Sequence, residues 1–284
     1  MSTPSLVRTM AAVDAALTSG TPATRPLAVK VGVDLGTAYT VVTVLDGYGR
    51  PLAVAHERAD VVRDGVVTDF AGAVDVVGRL KCEVEARLGI KLEAAHGAHP
   101  PGVPLAEVRA VHHVIEATGL ECSGLVDEPT AANAVLALRD GVVVDVGGGT
   151  TGVAVVQGGQ VVHTADEATG GTHFSLVIAG ALGISFEEAD ALKTNPAEQA
   201  RLLPLVRPVM EKVASIVIRS TRGWPVPLVC LVGGAVAFPG FAHVVAEHSG
   251  FDTVVPVSPL LVTPLGIALS APAREIIHPR EMSR

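Results

Sequence analysis

The strongest constraint on the fold is a strand–bend–strand unit that occurs twice in the chain. Residues 30–45 read KVGVDLGTAYTVVTVL and residues 141–156 read GVVVDVGGGTTGVAVV. In each unit an apolar, β-branched run ends in Asp, a bend of Gly and Thr follows, and a second apolar run returns. We therefore predict two β-hairpins at equivalent places in two similar α/β lobes, with Asp34 or Asp145 at the end of the first strand.

The glycines of the second unit also match a different motif. Gly147, Gly149 and Gly152 have the G-x-G-x-x-G spacing of a dinucleotide-binding turn, and Asp166 lies about 20 residues on, where an acid would bind a ribose. That motif needs a helix after the glycines, because the pyrophosphate binds the free N–H groups at the helix N-terminus. Here a strand-like run follows, so a nicotinamide cofactor is not predicted.

Composition and charge exclude several classes of function. The chain has 284 residues, of which 49% are hydrophobic and 3% aromatic, so a core of Val, Ala and Leu in α/β layers is expected. The net charge of −8 disfavours nucleic acid and membranes as partners, since both require a basic surface. The sequence has no C-x-x-C pair, no signal peptide and no long apolar run, which predicts a cytoplasmic protein.

Three segments are expected along the chain. Residues 1–26 should form an N-terminal helix, from the apolar spacing over residues 5–17, and a linker. Residues 27–139 should form lobe I with the first hairpin. Residues 140–284 should form lobe II with the second hairpin, and the C-terminal segment should pack back towards lobe I. The N-terminal helix is interpreted either as a separable docking element for a partner or as an added layer on its own lobe.

Several helices and further strands are predicted from the spacing of apolar residues. Helices are expected near residues 72–88, 105–118, 174–182, 186–193 and 206–221, with another opening at residues 127–130. A strand at residues 228–232 should end in Gly233 and Gly234.

The paired bends favour a polyphosphate site with a metal ion. A bend of Gly and Thr lets backbone N–H groups approach a phosphate closely. Asp34 and Asp145 supply carboxylates suited to hold Mg²⁺, largely through water. A single such bend is equally well explained as an ordinary hairpin whose Asp bonds its own turn. The duplication is what favours the phosphate site.

At this point the sequence resembles the superfamily of actin, the sugar kinases and DnaK. The resemblance extends over most of the chain from Leu27. Four stretches carry it: residues 31–37 and 144–150 for the two phosphate motifs, residues 127–132 (DEPTAA) for the connecting segment of DnaK, and residues 231–240 for the adenosine motif. It implies a two-lobed actin-like ATPase fold built from duplicated ribonuclease H-like lobes.

Within the superfamily, the chain resembles the EutJ family of ethanolamine-utilisation proteins. Residues 59–67 (ADVVRDGVV), 165–173 (ADEATGGTH) and 262–268 (VTPLGIA) carry this resemblance. It implies a nucleotide-binding protein that uses ATP or ADP with Mg²⁺ and acts as a chaperone or assembly factor of the ethanolamine microcompartment. Its partners would be microcompartment proteins or ethanolamine-degrading enzymes, and it would be cytoplasmic, associated with the microcompartment.

The superfamily resemblance also assigns phosphate and magnesium roles by position. Asp34 and Asp145 would bind the metal and, with Glu128, form the catalytic set. The phosphate-binding residues would be Gly36, Thr37, Gly147, Gly148, Gly149 and Thr150.

The same resemblance gives specific roles to five residues outside the two bends. Glu128 resembles the glutamate that orients the attacking water in related ATPases; the alternative is an acid favoured by the dipole at a helix N-terminus. Asp190 and Lys193 resemble the pair that brackets adenosine in bacterial actins; the alternative is an ion pair on a helix surface. Gly233 and Gly234 would let adenine lie against the backbone.

The sequence departs from these relatives in ways that predict weak catalysis. No lysine stands where DnaK has its catalytic one, and Ala237 replaces the arginine that stacks on adenine there. The segments between Pro51 and Phe70 and between Lys193 and Val226 are short, so the upper subdomains should be reduced. Surfaces used for filaments would then be mostly missing. Slow or absent ATP hydrolysis is expected, without DnaK-like client binding.

Two other function classes stay open. One is a small-molecule kinase of the acetate or sugar kinase type, which would need a catalytic acid and a pocket built from longer loops. The other is a scaffold that has lost nucleotide binding. The intact Asp34 and Asp145 speak against the scaffold, because unpaired buried carboxylates cost stability.

The histidines and cysteines are not expected to form sites. His112 and His113 lie side by side on a predicted helix, where only one can face a given direction, and no acidic partner with metal-site spacing is recognised beside them. They should be solvated or core histidines, as should His96 and His99 beside the Pro-rich loop. The cysteines, Cys82, Cys122 and Cys230, are expected to be small buried hydrophobes.

Overall fold

The computed structural model describes residues 11, 15–16, 26–63 and 65–276. Two β-sheets carry the two predicted hairpins. The first has the order β3-β2-β1-β6-β7, from strands β1 (Ala28–Leu35), β2 (Tyr39–Asp46), β3 (Pro51–Arg58), β6 (Ala94–His99) and β7 (Glu121–Asp127). The second has the order β10-β9-β8-β11-β12, from β8 (Gly141–Val146), β9 (Thr151–Gln157), β10 (Gln160–Glu167), β11 (Val229–Val232) and β12 (Thr253–Val254).

The two sheets have the same connectivity. In each, three antiparallel strands come first, and two strands parallel to the first of them are added on its other side. The short strand β13 (Arg274–Glu275) pairs with the start of β1. Between β3 and the first helix, the described residues form only the small hairpin of β4 (Val62–Arg63) and β5 (Val66–Val67). The segment between β3 and the first helix therefore adds little structure to lobe I.

Eight helices lie among the described residues from Phe70 onward. They are α1 (Phe70–Leu88), α2 (Leu105–Ala117), α3 (Glu128–Leu136), α4 (Gly171–Leu182), α5 (Phe186–Thr194), α6 (Pro196–Ser220), α7 (Phe241–Ser249) and α8 (Val262–Ser270). Two short 3₁₀ turns add to these, at Gly234–Ala237 and Pro259–Leu261. No helix in the described part of the chain is long and apolar enough to cross a membrane.

Helix α6 begins ten residues earlier than the start predicted from the sequence, at Pro196 and not at residue 206. Two prolines, Pro204 and Pro208, lie inside it, and prolines normally end a helix because they lack an N–H donor. Both are exposed. The opposite face buries eight residues, including Leu202 and Met210, in the core of lobe II. This burial offsets the missing hydrogen bonds.

The hydrophobic core has three layers, because both faces of each sheet are covered. One layer lies on the outer face of each sheet, and the third lies between the two sheets. One face of the first sheet, including Val42 and Val44, packs under α1 and α2. The other face, including Val41 and Leu45, belongs to a central cluster that is shared with the second sheet and with α3 and α8. Alternate residues of these strands face opposite sides of the sheet, and both sides are buried, so the strands are continuous apolar runs.

The two central helices approach each other very closely. A Cβ atom built on Gly266 of α8 would lie 1.8 Å from the carbonyl oxygen of Ala131 in α3. A Cβ on Gly32 of β1 would lie 2.6 Å from the amide nitrogen of Ala268. Helix α8 therefore packs against both α3 and the first sheet through backbone, and the C-terminal part of the chain lies on lobe I.

Most of the predicted N-terminal helix and linker, residues 1–26, lies outside the described residues. Ala11, Ala15 and Ala16 are helical. Ala16 is buried in the central cluster, and its carbonyl oxygen accepts a hydrogen bond from the guanidinium of Arg87. At Ala16 the contacts favour the interpretation as a layer added to lobe I.

Candidate functional site

A cavity of about 340 Å³ lies between the two hairpins, and every site residue predicted from the sequence lines it. These residues are Asp34, Gly36, Thr37, Glu128, Asp145, Gly147, Gly148, Gly149, Thr150, Asp190, Lys193, Gly233 and Gly234. They come from both lobes and from five separate stretches of sequence. The fold thus brings the predicted site residues together around one cavity.

The two hairpin bends have the same backbone geometry. The N–H of Gly36 donates to the carbonyl oxygen of Tyr39 at 3.0 Å, and the N–H of Gly147 donates to the carbonyl oxygen of Thr150 at 3.0 Å. The bends also touch across the cleft, because a Cβ on Gly148 would lie 3.1 Å from the Cβ of Ala38. The duplication is therefore structural, and the bends face each other.

Helix α4 orients the second bend. The N–H groups of Gly171 and Thr172, at its N-terminus, donate to the carbonyl oxygens of Gly147 and Gly148 at 2.9 and 2.8 Å. In a trans peptide the N–H points opposite to the C=O of the same unit. The N–H groups of Gly148 and Gly149 are therefore turned away from α4, on the side of the cavity. This arrangement suits a bound anion.

Three carboxyl groups converge in the cleft. Asp34 and Asp145 are each the last but one residue of the first strand of a hairpin, and Glu128 is the first residue of α3. Burial, and secondarily the charge of Asp145, raises the pKa of Asp34 to about 7. Burial raises the pKa of Asp145 to about 6, although the hydrogen bond donated by Thr263 opposes the change. Burial and the charges of Asp145 and Asp34 raise the pKa of Glu128 well above its usual value.

These carboxyl groups fit a divalent cation. Among the described residues that line the cavity, the two basic side chains, Arg58 and Lys193, both pair with Asp190 and not with the three carboxyls. A hard ion such as Mg²⁺ binds carboxylate oxygens, directly or through water. Asp34 and Asp145 are the residues that would hold it. Its positive charge would stabilise the ionised forms of these carboxyl groups, whose pKa values are raised mainly by burial.

A buried polar network forms another wall of the cavity. Asp190 accepts hydrogen bonds from the Ser175 hydroxyl at 2.6 Å and from Lys193 Nζ at 2.5 Å, and it pairs with Arg58 of lobe I. Burial alone would raise the pKa of Asp190, but the hydrogen bonds and charge of Lys193 lower it. The side chains of Asp190 and Lys193 are only 8% and 17% exposed. The alternative of a surface ion pair is therefore wrong for this pair.

The glycines after β11 close the opposite side of the cavity. Gly233 has a φ of 92°, which favours glycine, and a Cβ there would lie 2.4 Å from the Asp145 carboxylate. Gly234, Ala237 and Phe238 continue this wall. Ala237 contributes only a small side chain to this wall.

Sequence reasoning missed three residues of this site. Arg58 and Thr263 line the cavity and bind the predicted acids Asp190 and Asp145. Asp166 is paired in register with Gly152 across β9 and β10, and its charge contributes to the raised pKa of Glu128. Asp166 and Thr263 fall in stretches that carry the family resemblance, but no local pattern gives any of the three a role in the site, because their partners are distant in sequence.

The structure corrects two expectations about the histidines and cysteines. Glu116 lies beside His112 and His113, with its Oε2 atom 3.1 Å from His112 Nε2 and 3.5 Å from His113 Nδ1. The prediction that the two histidines have no acidic partner with metal-site spacing was therefore wrong. Glu116 follows His112 by four residues and His113 by three on the same helix. Cys82 is exposed, so the expectation of burial was also wrong for it, whereas Cys230 is buried.

The free protein is expected to lose stability as the pH rises from about 4 to about 7. In the unfolded chain Asp34 and Asp145 ionise near pH 4, whereas in the folded protein their pKa values are about 7 and about 6. The folded state therefore binds more protons over this interval, and its free energy of unfolding falls as they are released, by up to about 1.4 kcal/mol per unit of pKa difference. Chemical denaturation across this pH range measures it.

Asp34→Asn is the control for this pH dependence, because the pKa of Asp34 is raised further than that of Asp145. The variant should show a flatter decline of the free energy of unfolding. Equal slopes in the wild type and in the variant would contradict the assignment to the cleft carboxyls.

Known protein families match large parts of the chain. The family described as type IV pilus assembly protein PilM matches residues 129–264, and the MreB/Mbl protein family matches residues 54–187. The chain is 43% identical over 261 residues to the ethanolamine utilization protein EutJ of Salmonella typhimurium, covering 92% of both chains. It is also 43% identical to the Escherichia coli EutJ, covering 90% of this chain and 91% of that one.

Solved structures give the same grouping. The crystal structure of EutJ from Carboxydothermus hydrogenoformans matches with a TM-score of 0.87 and 44% identity, covering 93% of this chain and 97% of that chain. The crystal structure of MreB5 of Spiroplasma citri bound to AMPPNP matches with a TM-score of 0.68 and 18% identity, covering 87% of this chain and 96% of that chain. At that identity the second likeness shows the fold alone, which is actin-like.

Proposed function

The chain belongs to the EutJ family of ethanolamine utilisation proteins, and we propose that it binds Mg-ATP or Mg-ADP in the cleft between its lobes as an assembly or chaperone factor of the ethanolamine microcompartment. The family and the actin-like fold expected from the sequence are confirmed. The nucleotide and the microcompartment role are the proposal. The convergence of both bends and three carboxyl groups on one cavity supports it most strongly.

Each part of the cleft has a task in this proposal. The N–H groups of Gly148 and Gly149 would bind phosphate oxygens, and Asp34 and Asp145 would hold Mg²⁺. When bound, the metal ion neutralises phosphate charge. Asp190 and Lys193 would contact the nucleoside part of the nucleotide. A protein of the same fold, MreB5, has been solved with AMPPNP bound, which agrees with a nucleotide in this type of cleft.

The cost of the free site argues against the scaffold alternative. Three carboxyl groups with raised pKa values destabilise the folded protein at neutral pH unless a cation binds there. A protein that no longer binds a ligand gains nothing from such a cluster. The intact cluster therefore supports retained binding.

ATP hydrolysis is expected to be slower than roughly 1 s⁻¹, the lower end of ordinary turnover numbers, or undetectable. Glu128 lines the cavity and can orient a water, but burial and the neighbouring carboxylates raise its pKa and so favour the protonated form, which cannot accept a proton. The described residues of the cavity place no lysine or arginine beside these carboxyls to stabilise the transition state. Phosphate release from ATP by the purified protein measures the rate.

Glu128→Gln is the variant that tests the assigned residue. Any genuine turnover should fall in it, while nucleotide binding, measured by calorimetry, should survive. Brisk hydrolysis that the variant retains would contradict both the slow rate and the role of Glu128.

The microcompartment role is tested by co-purification with purified shell proteins and ethanolamine-degrading enzymes. Binding to one of them should differ between Mg-ATP, Mg-ADP and no nucleotide, and Asp145→Asn should remove the difference. Equal recovery in all three states would contradict nucleotide control. Absence of any binding would contradict the partner class while leaving the nucleotide site intact.

A further inference from the structure

Helix α2 presents two imidazoles and a carboxylate on one face, and none of the three residues lines the cleft. At about 100° per residue, Glu116 falls between His112 and His113 when viewed along the helix axis. The structure agrees, because Glu116 Oε2 lies 3.1 Å from His112 Nε2 and 3.5 Å from His113 Nδ1. One possible ligand atom from each of the three residues lies within 4.8 Å of the other two. The described residues contain no other such group of three.

These spacings match the coordination sphere of a transition metal ion. Zn²⁺ binds imidazole nitrogen and carboxylate oxygen at about 2.0–2.2 Å in tetrahedral geometry, which places neighbouring ligand atoms about 3.3 Å apart. The two measured distances lie on either side of that value. Imidazoles also distinguish this group from the cleft, whose carboxylate oxygens suit Mg²⁺. We propose that His112, His113 and Glu116 form a binding site for a divalent transition metal ion, with Zn²⁺ as the best fit.

The proposed site has an open coordination position. The side chains of His112, His113 and Glu116 are 38%, 61% and 48% exposed, so an ion can enter from solvent without rearrangement of the core. A groove bordered by Arg109 and Leu125 adjoins the two histidines. Three protein ligands leave a fourth position for water or an exogenous group. Arg109, one turn upstream on α2, carries a positive charge that favours an anionic group there.

Calorimetric titration of the untagged full-length protein with ZnCl₂ tests the site. Millimolar MgCl₂ is present throughout, so that the cleft carboxylates are occupied by Mg²⁺. One Zn²⁺ should bind per chain. His113→Ala and Glu116→Gln should each weaken the affinity by at least about tenfold. Both substitutions are on exposed positions, and circular dichroism confirms that the variants are folded.

The matched control is His243→Ala on α7. His243 and Glu247 have the same i, i+4 spacing as His112 and Glu116, but their closest atoms are 3.9 Å apart, and no third ligand residue completes a group with them in the described part of the chain. This variant should bind Zn²⁺ as the wild type does. The proposal is overturned if the wild type does not bind Zn²⁺, or if His113→Ala and Glu116→Gln bind it as tightly as the wild type and His243→Ala.

Discussion

Asp145→Asn is expected to abolish most of the thermal stabilisation that Mg-ATP or Mg-ADP gives to the wild type. A ligand at 100 times its Kd adds about 2.7 kcal/mol to the free energy of unfolding, which corresponds to several degrees of melting temperature in a chain of this size. Asp145 is one of the two carboxylates assigned to the metal ion. Without the charge of the Asp145 carboxylate, Mg²⁺ loses a ligand group, and the phosphates then lose the ion that offsets their charge.

The free Asp145→Asn protein should stay folded. Asn has nearly the same shape, and its side-chain oxygen can still accept the hydrogen bond from Thr263. The substitution also removes one charge from the cluster with Asp34 and Glu128, so the free variant should be at least as stable as the wild type at pH 8. Asp140→Asn, an exposed Asp outside the cleft that accepts a hydrogen bond from the N–H of Gly158, is the control. A full nucleotide shift in Asp145→Asn would contradict the metal assignment.

Gly266→Ala should destabilise the protein strongly, with or without nucleotide. The new Cβ would lie 1.8 Å from the Ala131 carbonyl oxygen, which is backbone and cannot rotate away as a side chain can. Helices α3 and α8 must therefore separate within the central layer, where both are buried between the sheets. Overpacking of a core costs about 1–3 kcal/mol, and we expect about 3 kcal/mol or more here because the clash involves backbone. Urea denaturation measures the loss.

Gly180→Ala is the matched control for this prediction. Gly180 also lies in a helix, α4, but it is exposed and a Cβ there meets no atom within 4 Å. The same substitution should raise stability by roughly 0.5–1 kcal/mol, because Ala favours the helix. If Gly266→Ala were as stable as Gly180→Ala, the described crossing of α3 and α8 would be incorrect.

The parts of the fold that depend on local pattern could be predicted. Two apolar runs around an Asp-Gly bend are a short-range signal, and their repetition at residues 31–37 and 144–150 indicated two similar lobes. The actin-like fold implied by the family resemblance is confirmed. The same pattern placed Asp34 and Asp145 at strand ends, and the structure brings them into one cavity. Their roles towards nucleotide and metal stay predictions.

The missed features depend on contacts between distant residues. The early start of α6 was hidden by Pro204 and Pro208, whose cost is offset by packing that no local window contains. Helices α7 and α8 were not predicted, and α8 is almost uniformly apolar because it is buried between two sheets. Arg58 gains significance only through Asp190, in the other lobe. Glu116 was the exception, since helical spacing alone places it beside His112 and His113.

The most direct test of the account is calorimetric titration of the wild-type protein with ATP in the presence and absence of Mg²⁺. The facing bends and the carboxyl cluster predict one nucleotide bound per chain, with an affinity that depends strongly on Mg²⁺ and is lost on addition of EDTA. Absence of binding at millimolar ATP with Mg²⁺, or binding that EDTA leaves unchanged, would contradict the central claim that the cleft is a magnesium nucleotide site.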